Sequence, residues 1–429
     1  MTESARPRRT AIARGLIARG LAARAQAGLA AVRQRREAAG AAPARGVAFA
    51  GTVWVGGSAE PQPGLVVVDP SGRVSDVRLG PDPELPRDLL VLGGPSHWVV
   101  PGITDAHVHL GFDPIADGSR SGTPVSGPAT GLVAVRDLGA PLRWALQWRT
   151  GHRSAPAGRP FIAVAGPILT GPGGYPSRSW GAGGYAEFVE SPAVARSAVQ
   201  HLAAEGVDLI KVALEDGGRG WPVPSPEVLR AVVDAAHSLG LGVAAHALRA
   251  DFVVRALDAG VDELVHTPTE RLRPDLIERI AAAGVSVTST LQTFFSGGEG
   301  RTAAENAADL VEAGVTLRYG TDLGNAGTAP GVDPRELDRL AATGLGRLGA
   351  LRAATEYSAA AIGFRHGPGR LEPGLAARVV LLPFSPLAEP GVWRTPAAVY
   401  TGGRLTVKQD GGRPAVESTE RRTGESTGR

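Results

Sequence analysis

His107 and His109 stand two residues apart in TDAHVHLG, where an apolar run gives way to Gly111. Alternate residues of a strand share a face, so both imidazoles would point the same way. Lys211 lies in DLIK, His246 in GVAAHA, His266 in ELVHTP and Asp322 in YGTD, each near the end of its own apolar run. A lone H-x-H is usually a pair of core or surface histidines. Here four of the nine histidines, one of only two lysines and an aspartate occupy equivalent positions on five runs, which points to a metal site.

Two divalent cations held a few ångströms apart repel, so an anionic ligand must bridge them. The chain has no cysteine, which leaves nitrogen and oxygen donors. No glutamate belongs to the set, and a carbamate formed from Lys211 and CO2 would supply the bridge; the structural alternative is a salt-bridged lysine. His107, His109 and Asp322 would hold one metal, and His246 and His266 the other. A hydroxide bridging the pair would be nucleophilic near neutral pH. Asp322 would take its proton and pass it to the leaving group. Zinc suits these donors best, with manganese, cobalt or iron also admissible. Tyr175 and Arg178 follow the third run in a Gly-rich loop. Tyr175 would polarise a carbonyl and Arg178 would pair with a substrate carboxylate; an exposed mobile loop is the alternative. Trp180 and Trp221 read as packing residues or an apolar wall. Glu215 and Asp216 read equally as solvated or functional. His97, His152, His201, His237 and His366 fall outside the set.

The elements that must position these residues follow from the texture of the chain. From 99 to about 366, eight short apolar runs alternate with helical patterns such as PEVLRAVVDAAHSLG. Repeated strand–helix units imply a parallel sheet buried on both faces, and eight suit a closed barrel. The expected fold is α/β: a (β/α)8 TIM barrel over 99–366, with a small β-sandwich domain built from 46–98 and 367–408. Residues 1–45 carry ten arginines against Glu3 and Glu37 and read as an amphipathic, solvated extension. Residues 409–429 read as a disordered tail.

At 43% hydrophobic and 20% charged, the chain has the make-up of a soluble globular protein. No apolar run reaches the roughly 18 residues of a membrane helix. Arginines interrupt each apolar stretch of 10–38, so no secretory segment is expected there, and the expected compartment is the cytoplasm. No aromatic residues interleave the N-terminal arginines, so neither nucleic acid nor membrane is an expected partner. A homo-oligomer is compatible with the sequence.

TDAHVHLG, DLIKVAL, VAAHA, GVDELVHTP and YGTD resemble the metal-binding segments of the amidohydrolase superfamily. The lysine-bridged binuclear subgroup related to prolidases and imidazolonepropionases fits best, and RDLG, GPILTGPGGY and 354–387 resemble further segments of it. The resemblance implies hydrolysis of an amide, peptide or cyclic-amide bond by two metals and a carboxylated lysine. A dipeptide or an N-acyl amino acid would be the substrate; cyclic-amide, lactone or phosphotriester hydrolysis is the alternative within that chemistry. A catalytically inactive barrel scaffold with an Arg-rich interaction helix is the alternative of another class. The chain departs from the subgroup in three ways: Leu248 and Tyr175 stand where histidines are frequent, and Ala377 to Val380 replace A-D-L-V.

Overall fold

A computed structural model of the chain describes residues 45–111, 131–153, 160–325, 327–363 and 369–407. The Arg-rich extension, the polar tail, His366 and the side chain of His152 lie outside the described residues.

The chain begins with β1 (Val47–Val53), β2 (Gln62–Val68), β3 (Val74–Leu79) and β4 (Leu90–Pro101) and returns at its other end as β15 (Val379–Leu382), β16 (Ala398–Thr401) and β17 (Arg404–Val407). These form one seven-stranded sheet in the order β17-β16-β15-β4-β1-β2-β3, with Leu381 opposite Val99 where the two ends meet. The expected sandwich is therefore a single hydrogen-bonded sheet. Phe49 and Tyr400, on strands three places apart, still meet edge-on at 6.5 Å within one apolar cluster. A sheet that brings such strands into contact folds over its own apolar face.

Between these ends lie β5 (Ile103–Val108), β6 (Leu132–Asp137), β7 (Phe161–Val164), β8 (Ile168–Thr170), β9 (Ala186–Phe188), β10 (Ile210–Ala213), β11 (Val243–His246), β12 (Glu263–Val265), β13 (Ser286–Thr288) and β14 (Leu317–Arg318). All eight apolar runs of the sequence contain one of these strands, and all the pairs among them are parallel. They form two sheets, β5-β6-β7 and β14-β13-β12-β11-β10-β8-β9. Backbone bonds cross both gaps. The amides of Ala106 and His109 donate to Tyr319 and Leu323, that of Asp322 to His107, and that of Asp208 to Val164.

Helices return the chain between strands: α1 (Leu142–Arg153), α2 (Pro192–Glu205), α3 (Pro226–Ser238), α4 (Ala250–Ala259), α5 (Pro274–Ala282), α6 (Leu291–Gly297), α7 (Gly300–Glu312) and α8 (Pro334–Leu340). Three of them open on a capping side chain followed by proline: Ser191-Pro192, Ser225-Pro226 and Asp333-Pro334. The capping oxygen accepts an amide that would otherwise be unpaired, and proline fixes φ where no amide is needed. Helix α3 turns Val228, Leu229, Val232 and Ala236 inward against the strands. Among the described residues no helix is long and apolar enough to cross a membrane.

Candidate metal centre

Lys211 sits opposite Ala244, and Ala213 opposite His246, so Lys211 and His246 share a face with Lys211 one pleat deeper. It is the second residue of β10, not the last as its run suggested. The longer side chain needs that depth to bring its amine toward the imidazoles. His266 and Asp322 lie beyond the ends of β12 and β14 at φ 78° and 54°. Such conformations cost about 1–3 kcal/mol each in a non-glycine residue and persist only where the surroundings impose them.

Those surroundings are specific. Asp105 accepts the amides of His107 and Thr321 at 3.1 Å and the Thr321 hydroxyl at 2.6 Å, tying β5 to the Asp322 loop. Asp137 accepts the amides of Leu110 and Gly139, tying β5 to β6. Nδ1 of His266 meets the Thr290 hydroxyl at 2.7 Å. Nδ1 of His109 lies 3.2 Å from the Gly139 carbonyl, which can only accept. The proton of His109 therefore resides on Nδ1, leaving a lone pair on Nε2.

That lone pair points into a cluster of donors. His109 Nε2 is 3.2 Å from His107 Nε2, and Asp322 Oδ1 lies 3.3 Å from His107 Nε2 and 3.5 Å from His109 Nε2. The rings of His107 and His266 are 4.6 Å apart, and those of His246 and His266 4.7 Å. His107, His266 and Asp322 each offer an atom within 4.8 Å of the others. All six residues are at most 7% exposed. Burial drives the imidazoles to the neutral form, His109 down to about 3, and Lys211 adds to the effect on all four. Burial pushes Asp322 up to about 7 against the pull of Lys211. It lowers Lys211 to about 7, against Asp322 and Glu263. Among the described residues His107 Nδ1, Lys211 Nζ, His246 Nε2 and Asp322 Oδ1 have no hydrogen-bond partner. Facing lone pairs and orphaned buried donors in one place are what a cation relieves, and the set fits a metal.

An aromatic rim borders the cluster. The Trp180 indole donates to the Tyr175 hydroxyl at 2.9 Å. The Trp180 and Tyr175 rings lie 5.0 Å from those of His109 and His246 respectively, and Phe294 lies 5.5 Å from His266. An indole only donates, so the tyrosine proton is directed elsewhere. Arg178 is exposed, its guanidinium lying along Gly173. Trp221 packs over Gly217, on its own loop. Glu215 turns inward, with Oε2 3.9 Å from His246 Nε2. Of the remaining histidines, His237 pairs with Asp262 at 2.9 Å, His201 is exposed and His97 is half-buried.

Sequence reasoning missed the layer beneath. Arg136 forms an ion pair with Glu263, which Arg318 and the Thr288 hydroxyl also engage. Burial alone would raise Glu263, but the two arginines hold it at about 2. RDLG carried this arginine, but a resemblance of four residues says nothing about its partner.

Residues 156–406 match the Amidohydrolase family. The ochratoxinase of Aspergillus niger is 27% identical over 394 residues, covering 76% of this chain and 80% of that protein. An uncharacterised protein of Mycobacterium tuberculosis is 27% identical over 364 residues, covering 77% and 90%. Among solved structures, a Xaa-Pro dipeptidase with bound methionine superposes with a TM-score of 0.73 at 22% identity, over 85% of this chain and 100% of that one. The A. niger ochratoxinase structure does so with a TM-score of 0.70 at 21% identity, over 85% and 96%. The chain belongs to the amidohydrolase family and is a hydrolase acting on carbon–nitrogen bonds.

Proposed function

We propose that the chain cleaves the amide bond of a small molecule, a dipeptide or an N-acyl amino acid, at a two-metal centre in the mouth of a (β/α)8 barrel. In this reading the two parallel sheets close into one barrel through the bonds at Ala106, His109, Asp322 and Asp208. The observation that carries the proposal is the meeting of His107, His109 and Asp322 within 3.5 Å, beside His266, His246 and the unpartnered amine of Lys211.

His107, His109 and Asp322 would hold one cation and His246 and His266 the other, with zinc the best match to these donors. Lys211 would bridge them as a carbamate: its neutral amine adds to CO2 and releases one proton. Burial, by lowering Lys211 to about 7, favours the neutral amine that this addition requires. When bound, the metals would polarise the scissile carbonyl and acidify water. Asp322 then accepts the proton of the attacking water and delivers it to the departing nitrogen. Tyr175, its oxygen already engaged by Trp180, donates toward the carbonyl oxygen. Arg178, exposed on the same loop, meets a substrate carboxylate.

The test is metal analysis of purified protein followed by a screen of dipeptides and N-acyl amino acids. About two equivalents of transition metal with turnover of one class is the expected result. Failure to bind metal after reconstitution would leave a scaffold. Lys211→Ala should lose most activity and recover part of it with short carboxylic acids; wild-type rates would exclude the carbamate.

A further inference from the structure

Glu215 is the group at the mouth that this reaction leaves unused. It lies two residues beyond β10 and is 9% exposed. Its Oε1 accepts the Gly217 amide at 2.7 Å, which fixes the carboxylate. Its Oε2 faces His246 Nε2 across 3.9 Å, too far for a hydrogen bond, on the side where the Tyr175 ring lies 5.0 Å from the His246 ring.

Arg249 is close enough to favour the charged form of Glu215, but its hydrogen bonds go to other carboxylates. Arg249 spans both oxygens of Asp216 at 3.1 and 3.3 Å, and its other nitrogens reach Asp251 at 3.3 and 3.0 Å. Among the described residues no lysine or arginine is paired with Glu215. His246 is no counter-ion either, because an imidazole that holds a metal is neutral. A carboxylate withdrawn from water seeks a positive partner. Oε2, turned toward His246 with no lysine or arginine hydrogen-bonded to it among the described residues, is placed to meet one from outside the chain, a substrate ammonium or a cation held by His246.

We propose that Glu215 anchors the protonated amine of the substrate, selecting amides with a free amino group beside the scissile carbonyl. Dipeptides and amino-acid amides carry an ammonium on the carbon next to that carbonyl; N-acyl amino acids do not. The inference rests on the hydrolytic reading above and narrows its two substrate classes to one.

Calorimetry on metal-reconstituted protein tests the anchor apart from the reaction, using leucinol, which has the amine but no scissile bond, and its deaminated analogue isohexanol. The wild type should bind leucinol at least about tenfold more tightly, and Glu215→Gln should erase the difference. Glu215→Asp, which keeps the charge, should retain part of it. In turnover, Glu215→Gln should lower kcat/KM for leucinamide by about 10- to 100-fold and leave N-acetylleucinamide unchanged. No preference for the amine, or an equal loss with both amides, overturns the anchor, as does a fall in bound metal in Glu215→Gln, which would make Glu215 a ligand. Amine selectivity without hydrolysis of any amide would sink the reaction and spare the anchor.

Discussion

In the proposed reaction Asp322 would hold a cation and still exchange a proton, and its setting suits both tasks. Its amide donates to His107, fixing the backbone at φ 54°, while Oδ1 has no hydrogen-bond partner among the described residues and faces two imidazole nitrogens. Replacing it with asparagine keeps the shape and one oxygen but removes the proton acceptor. Asp322→Asn should keep much of its metal and lose about 10²- to 10⁴-fold in kcat. Elemental analysis alongside initial rates measures both, and full turnover would remove Asp322 from proton transfer. The six clustered residues were legible because they fall near the ends of five apolar runs, and that set of coincidences outweighs any one of them. Asp105 was not legible, because an aspartate that holds a loop and one that holds a metal look alike in sequence. Glu215 was read as solvated or functional with equal weight, since Asp216 and two glycines follow it, a composition common to exposed turns.

At the scale of elements, the clustering of the candidate ligands depends on close approach between β5 and the loop after β14. Gly320 permits it: a Cβ there would lie 2.5 Å from Cγ2 of Thr288 and 2.9 Å from Cβ of His107. Gly139 does the same beside His109, where a Cβ would meet the ring at 3.0 Å. Gly320→Ala should therefore push β5 away from Asp322, destabilising the fold by about 1–3 kcal/mol. Metal affinity should fall with it. Thermal unfolding with and without added metal checks this; an unchanged melting point and unchanged metal content would mean that the strands have slack. Helical patterns such as PEVLRAVVDAAHSLG were legible because their apolar spacing is local in sequence. The depth of Lys211 in β10 was not, because the pleat at which a short strand begins is set by its neighbours, here Ala244 on β11. The folding-over of the β1–β4 and β15–β17 sheet escaped sequence reasoning for the same reason. Alternation reports which face is apolar, not whether that face meets another sheet or its own far strands.

At the scale of the molecule, the floor of the candidate centre is ionic where the core of a parallel sheet is ordinarily apolar. Glu263 is 4% exposed between Arg136 and Arg318, and three distant strands meet in this one cluster. No local pattern announces a partner more than a hundred residues away, which is why the floor was invisible in the sequence. Glu263→Gln preserves the volume and strands both guanidiniums without an anion, at a cost of about 3–5 kcal/mol near neutral pH. The cost depends on pH with a definite sign. Glu263 ionises near 2 in the folded chain against an ordinary 4.5. Its stabilisation is complete above 4.5 and fades as pH falls toward 2, because the unfolded chain then binds the proton that the folded one refuses. Urea titrations at about pH 7 and about pH 3 should show a large gap between wild type and Glu263→Gln that narrows in acid. A gap that stayed constant or widened in acid would mean that packing, and not charge, makes Glu263 necessary beneath the candidate metal centre.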